Sequence, residues 1–341
     1  MSACASQGMK IVAPVRSVDE VEMLLSCGAD ELYCGYTPEE WRAHSAGLWW
    51  VNRRDPRSSD FTRREHLLET IRLAHEGTVP VYVTVNAPFY PAGALPYLVD
   101  LCERLIQEYQ ADGLIVADLD LILSLGRRLG STGKARIHLS NLGGCYNHKS
   151  AEFFSSLGLE RIILSRHMRR SEIERLVREA PPGIGFEVFA LNDGCYFEEA
   201  YCRVSHSLGG PFCLGDWTNL EPCGPHAAAF SARLERERAC LERYLWYQNN
   251  CGSSFQGHGL PNGPCSLCWF GFFRDWGVSA VKIVGREASF HRKMASLQLV
   301  KAIVDLARAG AGHEEIAEAA RSFRATPELC DSGFMCYYGG A

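Results

Sequence analysis

The sequence predicts an α/β protein built on a closed (β/α)8 barrel of the TIM type. Eight short β-branched or apolar runs recur along the chain. The segments between them carry apolar residues at spacings of three and four, as at Val18, Val21, Leu24 and Leu25. This alternation is typical of parallel strands joined by crossover helices. An open doubly wound sheet fits the periodicity equally, and the count of eight favours closure.

The predicted strands, in chain order, are 11–15, 31–35, 79–86, 113–118, 136–141, 161–166, 185–191 and 280–286. In a barrel of this type the active site lies at the carboxyl ends of the strands. We therefore expect the residues that close these strands to point into one mouth. They are Gly35, Asn86, Asp118, Asn141, Arg166, Asn192 and Arg286.

One barrel accounts for most of the 341 residues, although two small domains would also fit this length. We assign 9–325 to the barrel and 326–341 to a C-terminal tail. Two insertions, 36–64 and 192–268, are longer than the few residues of an ordinary βα loop. The second follows the seventh predicted strand and is rich in cysteine.

Composition restricts the partners and the compartment. The net charge of −5 gives no overall positive field, so a nucleic acid is neither required nor excluded. The first ten residues lack a continuous apolar segment, and no stretch approaches the roughly 20 apolar residues of a membrane span. We expect a soluble cytoplasmic protein without a membrane span.

Cysteine usage points to metal chemistry. Without a secretion signal, fifteen cysteines are better explained by reduced thiols and metal ligation than by disulfides. The insertion at 192–268 holds eight of them. Cys195 and Cys202 directly follow a predicted strand, at a spacing that lets both reach one iron-sulfur cluster. Spacing alone is weak evidence, because two cysteines can approach each other in many ways.

A zinc knuckle is the alternative use of these thiols. Cys265 and Cys268 form a C-x2-C pair that suits zinc when a second pair completes the tetrahedron. Cys213 and Cys223 are candidates for that second pair. The spacing does not separate the two kinds of metal site.

Five segments resemble the peptidase U32 family along nearly the whole chain. The opening IVAPVRSVDEVEMLLSCGADELYCG resembles that family's LLAPAGSPEALKAAVEAGADAVYLG signature. The other matching segments are DFTRREHLLETIRLAHEGTVPVYVTVN (60–86), DGLIVADL (112–119), FEVFALNDGC (186–195) and GVSAVKIVGR (277–286). The resemblance is greatest to compact iron-sulfur members similar to the oxygen-independent hydroxylase subunits of ubiquinone biosynthesis.

The resemblance implies a [4Fe-4S] cluster on four cysteines. The positions that match the family's ligands are Cys195, Cys202, Cys223 and Cys265. Cys213 is the rival of Cys223, and Cys268 is the rival of Cys265. Around these positions the chain departs from the family, for example at Val284, where the family's KIEGR carries a glutamate. Such departures change the surroundings of the cluster, so the substrate and the reaction can differ.

The resemblance also implies an oxygen-independent hydroxylase that takes prephenate as oxygen donor. Family members act on tRNA, on ribosomal RNA or on ubiquinone precursors. We rank a small organic metabolite first, because the chain is short and acidic. Hydroxylation of a tRNA or rRNA base is the alternative, and the arginines of the first insertion favour it. They are Arg42, Arg53, Arg54, Arg57, Arg63 and Arg64.

Two further alternatives are a peptidase or collagenase and a non-catalytic partner subunit. Proteolysis finds little support, because the sequence contains neither a G-x-S-x-G elbow nor an HExxH motif. In the other case the chain is one half of a heteromeric hydroxylase, and a homologous U32 subunit performs the chemistry.

Six residues at the predicted mouth are candidates for the reaction itself. As catalytic residues we expect Arg166 and Arg286, which suit bidentate pairing with a carboxylated donor, and His138. As substrate-binding residues we expect Asn86, Asn141 and Lys282. The simpler explanations are polar filling of the barrel top and, for Lys282, an interior charge with a carboxylate partner.

Overall fold

The computed structural model describes residues 8–44, 50–129, 136–192, 264–333 and 335–338, with residue 200 and parts of 224–242. Within these residues it contains nine strands. They are β1 (Lys10–Pro14), β2 (Glu31–Tyr36), β3 (Asp60–Phe61), β4 (Val81–Val85), β5 (Gly113–Val116), β6 (Arg136–Leu139), β7 (Arg161–Ile163), β8 (Gly185–Leu191) and β9 (Ala280–Ile283).

Eight of these strands close into a parallel barrel. Each hydrogen bonds to the next in the order β1, β2, β4, β5, β6, β7, β8 and β9, and β9 returns to β1. Closure is made by β1, which pairs with β2 at Val12 and Glu31 and with β9 at Lys10 and Ala280. The predicted (β/α)8 barrel is confirmed.

The strands are buried on both faces, as parallel sheets with helices outside require. All five residues of β4, VYVTV, are buried, and so are all four of β9. Their β-branched side chains suit a pleated surface packed on each side. The core therefore lies both inside the ring and between the ring and the helices.

The helices cover the outside of the ring. They are α1 (Val21–Ser26), α2 (Glu39–His44), α3 (Pro56–Ser59), α4 (Arg64–Glu76), α5 (Leu95–Gln107), α6 (Leu119–Leu129), α7 (His148–Ser156), α8 (Arg170–Glu179), α9 (Phe270–Trp276), α10 (Phe290–Arg308), α11 (His313–Arg324) and α12 (Pro327–Ser332). Local signals set their ends. Asn147, for example, caps α7 by accepting a bond from Ser150 N at 3.0 Å. None of the helices that the structure describes is long and apolar enough to cross a bilayer.

All eight predicted strands are present, but most end earlier than the sequence suggested. The run predicted as a strand at 161–166 is a strand only to Ile163, and the run at 280–286 only to Ile283. The polar residues that follow belong to the loops of the mouth. The two-residue β3, inside the first insertion, was not predicted. It pairs with the end of β2 at Gly35 and Asp60.

A network of buried charges crosses the barrel interior. Arg161 on β7 donates to Glu31 on β2 at 2.5 and 2.9 Å and to Glu187 on β8 at 3.1 Å. Glu187 also accepts from Lys282 at 2.9 Å, and Glu31 accepts from Lys10 at 3.0 Å. Burial alone would raise the pKa of Glu31, but Arg161 and then Lys10 hold it below its ordinary value. The network joins strands on opposite sides of the ring.

Replacing Arg161 with methionine tests this network. Both glutamates would keep their burial and lose their shared partner, so R161M is expected to lower the free energy of unfolding by about 3–5 kcal/mol. The matched control is R175M, since Arg175 pairs with Glu179 on the exposed face of α8. The control is expected to cost less than about 1 kcal/mol. Urea denaturation measures both, and equal losses would contradict the assigned role.

Candidate active site

The carboxyl ends of the strands surround one cavity, of about 50 Å³. Five of the six candidates at the mouth line it: Asn86, Asn141, Arg166, Lys282 and Arg286. The lining also contains residues that we did not predict as part of the site, among them Tyr33, Arg53, Arg54, Thr84, Ser140, Phe189 and Glu287. His138 is not among the lining residues. The sequence therefore located the mouth correctly but covered only part of it.

Arg286 is fixed in the wall of the cavity by β3. Its Nη1 donates to Thr84 Oγ1 at 2.6 Å and lies 3.2 Å from Asp60 Oδ1. Asp60 is itself held by Thr37 and Asn52, at 2.7 and 2.8 Å. A Cβ on Gly35 would stand 2.0 Å from Asp60 Oδ1 and 2.1 Å from Arg286 Nη1, so only glycine leaves room for this pair. Gly35 thus makes the Arg286 position possible.

Arg166 lies over an aromatic ring. Its guanidinium carbon is 3.8 Å from the centroid of Phe189, close enough for a cation–π contact. Arg166 follows β7, and β8 alone separates β7 from β9, the strand that precedes Arg286. Both arginine side chains are buried and line the cavity. Two buried guanidinium groups therefore contribute to one small space.

The cavity has an excess of positive charge. Among the described residues its lining includes five basic side chains and one carboxylate, that of Glu287. Arg54 pairs with Glu287 at 3.0 Å, and the carboxylates of Asp60 and Glu187 lie behind Arg286 and Lys282. The excess of positive charge remains when the carboxylates of Asp60 and Glu187 are counted with that of Glu287. Such a site favours an anionic group over a neutral or cationic one.

A chain of hydrogen bonds crosses the mouth and ends in a donor. Asn86 accepts from Arg53 N at 3.3 Å and donates to Ser140 Oγ at 3.2 Å. Ser140 in turn donates to Asn141 Oδ1 at 3.3 Å. The Asn141 Nδ2 group is buried and has no hydrogen-bond partner in the described part of the chain. A buried amide donor at a cavity wall marks a position for an acceptor atom of a ligand.

Lys282 forms the floor of the cavity. Its Nζ lies 2.9 Å from Glu187 Oε1 and 3.9 Å from the centroid of the Tyr33 ring. Burial lowers the pKa of Lys282 from its ordinary value, and the charge of Glu187 opposes this effect. Lys282 has the carboxylate partner of an interior charge and also lines the cavity.

His138 lies deeper in the barrel. Its ring stacks on Tyr82, with centroids 4.4 Å apart. Burial, followed by the charges of Arg161, Lys282, Arg136 and Lys10, lowers its pKa well below the usual value. The imidazole is therefore neutral at physiological pH.

Three of the four expected cluster ligands, Cys195, Cys202 and Cys223, lie outside the described residues. Cys265 is buried and forms an antiparallel bridge with Leu191, at the end of β8. Asn192 N donates to Pro264 O at 2.8 Å, so Cys265 is held beside the point where the chain enters the insertion. In the described ranges, no group of three or more His, Cys, Asp or Glu side chains is arranged to hold a metal ion.

The sequence profile of Peptidase family U32 matches residues 16–341. The chain belongs to the U32 family. Among its relatives is tRNA hydroxylation protein P of Escherichia coli, 26% identical over 196 residues, or 58% of this chain and 39% of that protein. The 23S rRNA 5-hydroxycytidine C2501 synthase of E. coli is 24% identical over 91% of this chain and 43% of its own length.

A third U32 relative is the uncharacterized protease MJ0090 of Methanocaldococcus jannaschii. It is 26% identical over 63% of this chain and 48% of its own length. The chain thus spans less than half the length of each of these three relatives. Membership of the U32 family, expected from the five matching segments, is confirmed.

The most informative site residue that the sequence does not predict is Asp60, which holds Arg286. The signal was present, because Asp60 begins the DFT element that resembles the family's NFT. The position of Arg53 and Arg54 had no such signal. The sequence groups them with the arginines of the first insertion that favour action on RNA, and the structure places both in the lining of the cavity. Their approach depends on how the first insertion folds back over β2 and β4.

The neutral state of His138 predicts a pH dependence of stability. The unfolded chain binds a proton at this histidine below about pH 6.5, and the folded chain does not, so acid favours unfolding. Between pH 7.5 and pH 5.5 the wild type is expected to lose about 1.4 kcal/mol more than H138F, by the linkage relation. Phenylalanine keeps the ring stacking and cannot titrate. Denaturation of both proteins at both pH values measures the difference, and identical pH profiles would rule out a buried neutral His138.

Proposed function

We propose that this chain is an oxygen-independent hydroxylase that acts on a base of tRNA or ribosomal RNA. Two of the relatives reported above carry names for hydroxylation of tRNA or rRNA. The observation in the chain itself that carries the proposal is the buried, positively charged cavity at the barrel mouth. It offers a place for an anionic oxygen donor next to an unsatisfied amide.

The oxygen donor is the ligand that the cavity suits best. Arg166 and Arg286 both line the cavity, and each presents a guanidinium, the group best matched to a carboxylate. At about 50 Å³ the cavity takes a carboxylate-sized group rather than a whole nucleoside. We infer that a carboxylated donor of the prephenate type places one carboxylate here.

The remaining polar groups orient what lies above this carboxylate. Asn141 Nδ2 provides a donor for a carbonyl or hydroxyl oxygen, and its position is fixed by Ser140 and Asn86. Lys282 keeps a charged donor at the floor while Glu187 balances its charge. Asn141 and Lys282 are themselves buried, which strengthens each of these contacts.

We also propose the [4Fe-4S] cluster that the family resemblance implies, on Cys195, Cys202, Cys223 and Cys265. When bound, it would supply electron transfer or Lewis-acid polarisation, which the side chains at the mouth lack. Cys265 fits in one respect, because it is held at the end of β8, near the chain that leads to Cys195. Cys268, three residues further on, remains its rival.

A hydroxylase of a small metabolite is the second candidate. The narrow cavity and the net charge of −5 favour it, since neither is adapted to a long polyanion. In this case the substrate would enter the mouth with the donor, and RNA would bind only weakly. A requirement for a homologous U32 subunit fits either candidate.

The deciding experiment uses protein purified anaerobically and reconstituted with iron and sulfide. It is incubated with prephenate and with tRNA or rRNA from cells that lack the protein. Nucleoside mass spectrometry is expected to find a base that has gained one oxygen atom. Unmodified RNA, together with a hydroxylated metabolite in extracts treated in the same way, would contradict the RNA assignment. Activity of the isolated chain would exclude an obligatory partner subunit.

Arg166 provides the test of the donor site. R166M removes the guanidinium that stacks on Phe189, and its kcat/KM for the donor is expected to fall by about 100-fold or more. R178M is the matched control, because Arg178 lies on the outer face of α8 and pairs with Glu174 there. The control is expected to keep the activity of the wild type. If both variants keep full activity, the donor does not bind at this cavity.

A further inference from the structure

Among the lysines that the structure describes, Lys282 is the one in the lining of the cavity. Two of these lysines are buried, Lys282 at 5% exposure and Lys293 at 2%, and each is paired with a carboxylate. Lys293 Nζ lies 2.9 and 2.8 Å from the two carboxylate oxygens of Glu20, and Lys293 does not line the cavity. The two lysines therefore share burial and an acidic partner and differ in their access to a ligand.

The surroundings of the Lys282 ammonium group are largely apolar. Its Nζ lies over the face of the Tyr33 ring, 3.9 Å from the centroid. Ile115, Ile163 and Phe189 add further apolar surface to the same lining. A lysine in such surroundings loses hydration as an ammonium ion, and this loss favours the neutral amine, which is the nucleophilic form.

Glu187 is placed to move the proton of Lys282. Its Oε1 accepts from Lys282 Nζ at 2.9 Å, and its Oε2 accepts from Arg161 at 3.1 Å, which holds the carboxylate in this orientation. Burial lowers the pKa of Lys282, and the charge of Glu187 opposes this effect. In the resting protein the pair is an ammonium and a carboxylate. A proton can pass along their hydrogen bond when the amine reacts.

The donor proposed for this cavity carries a carbonyl group in the matching place. Prephenate has an α-keto acid side chain, in which the ketone carbon is bonded directly to the carboxylate carbon. The cavity, of about 50 Å³, has Arg166 and Arg286 in its lining for the carboxylate and Lys282 for the neighbouring carbon. In so small a space, a carboxylate bound by the guanidinium groups leaves its ketone within reach of the amine.

We propose that Lys282 forms an iminium, a protonated Schiff base, with the ketone of an α-keto acid whose carboxylate is bound by Arg166 and Arg286. Glu187 Oε1 takes a proton from the ammonium, and the neutral amine attacks the ketone carbon to form a carbinolamine. The carbinolamine hydroxyl leaves as water with the proton that Glu187 returns, and the carbon–nitrogen double bond forms. The ammonium and the ketone have then become an iminium cation and one water molecule, with no net uptake or release of protons.

The iminium gives a lysine a specific task in a site that already contains several cations. Because the iminium keeps the positive charge of Lys282, the ion pair with Glu187 survives the reaction. The covalent bond fixes the donor, and it separates α-keto acids from carboxylic acids that lack the ketone. The inference rests on the proposed function, because it concerns the donor assigned to the same cavity.

The test traps the iminium by reduction. Protein purified anaerobically is incubated with phenylpyruvate or prephenate in the presence of cyanoborohydride and is then digested for peptide mass spectrometry. The peptide that contains Lys282 is expected to gain the mass of the keto acid less one oxygen atom, at about one adduct per chain. Phenyllactate, which has a hydroxyl in place of the ketone, is expected to give no adduct. Trapping in the wild type does not depend on whether a variant folds.

K282R and K293R are the paired variants. Arginine keeps the positive charge beside Glu187 or Glu20 but forms no iminium, so K282R is expected to lose the adduct and K293R to retain it. Calorimetry measures the binding of phenylpyruvate to the wild type in parallel. Binding without an adduct at Lys282 overturns the inference, and the absence of binding overturns it together with the donor site.

Nucleoside mass spectrometry distinguishes the failure of this inference from the failure of the proposed function. If K282R hydroxylates RNA at the rate of the wild type, the iminium is not part of the reaction, and the proposed function stands. If Lys282 is trapped but the wild type hydroxylates no RNA, the iminium site stands, and the RNA assignment fails.

Discussion

The charge network inside the barrel is the interaction on which the rest of the structure depends. Glu187 binds Arg161 and Lys282 together, and Arg161 reaches across the ring to Glu31. A buried ion pair contributes little to stability when complete, but loss of one partner leaves a charge without compensation. The network therefore fixes which strands face each other, and it holds Lys282 at the floor of the cavity. Closure of the barrel and construction of the site rest on the same contacts.

A second set of contacts adapts this frame to an anionic ligand. The short strand β3 brings Asp60 against Arg286, and the missing side chain of Gly35 leaves the space that they need. Asp60 holds the guanidinium in place without removing the positive excess of the cavity. The ring face of Phe189 holds Arg166 in place in the same way. Because the ring is uncharged, this contact leaves the positive charge of the cavity unchanged. Both arginines are thus oriented before any ligand arrives, which reduces the entropy lost on binding.

The sequence predicted the barrel and most of the mouth because both depend on local patterns. Strand runs such as VYVTV and the polar residues after them can be read directly, and Asn86, Asn141, Arg166, Lys282 and Arg286 were located in this way. The features that the sequence did not predict depend on contacts between distant segments of the chain. Asp60 acts through its pairing with β2, and Cys336 meets Cys265 only because the tail returns to the end of β8. His138 was placed at the mouth because its strand ends there, but the ring turns to stack on Tyr82.

The size of the cavity divides recognition between two parts of the molecule. A space of about 50 Å³ with two guanidinium groups in its lining suits an anionic group of the size of a carboxylate. Under the proposed function, the substrate is therefore selected outside the cavity. Among the described residues, the segment of the first insertion that carries Arg53 and Arg54 is placed to take part, because both of these residues line the cavity. If the cavity holds a carboxylated donor, as proposed, one barrel can combine the same donor site with different substrates through changes in the residues outside the cavity.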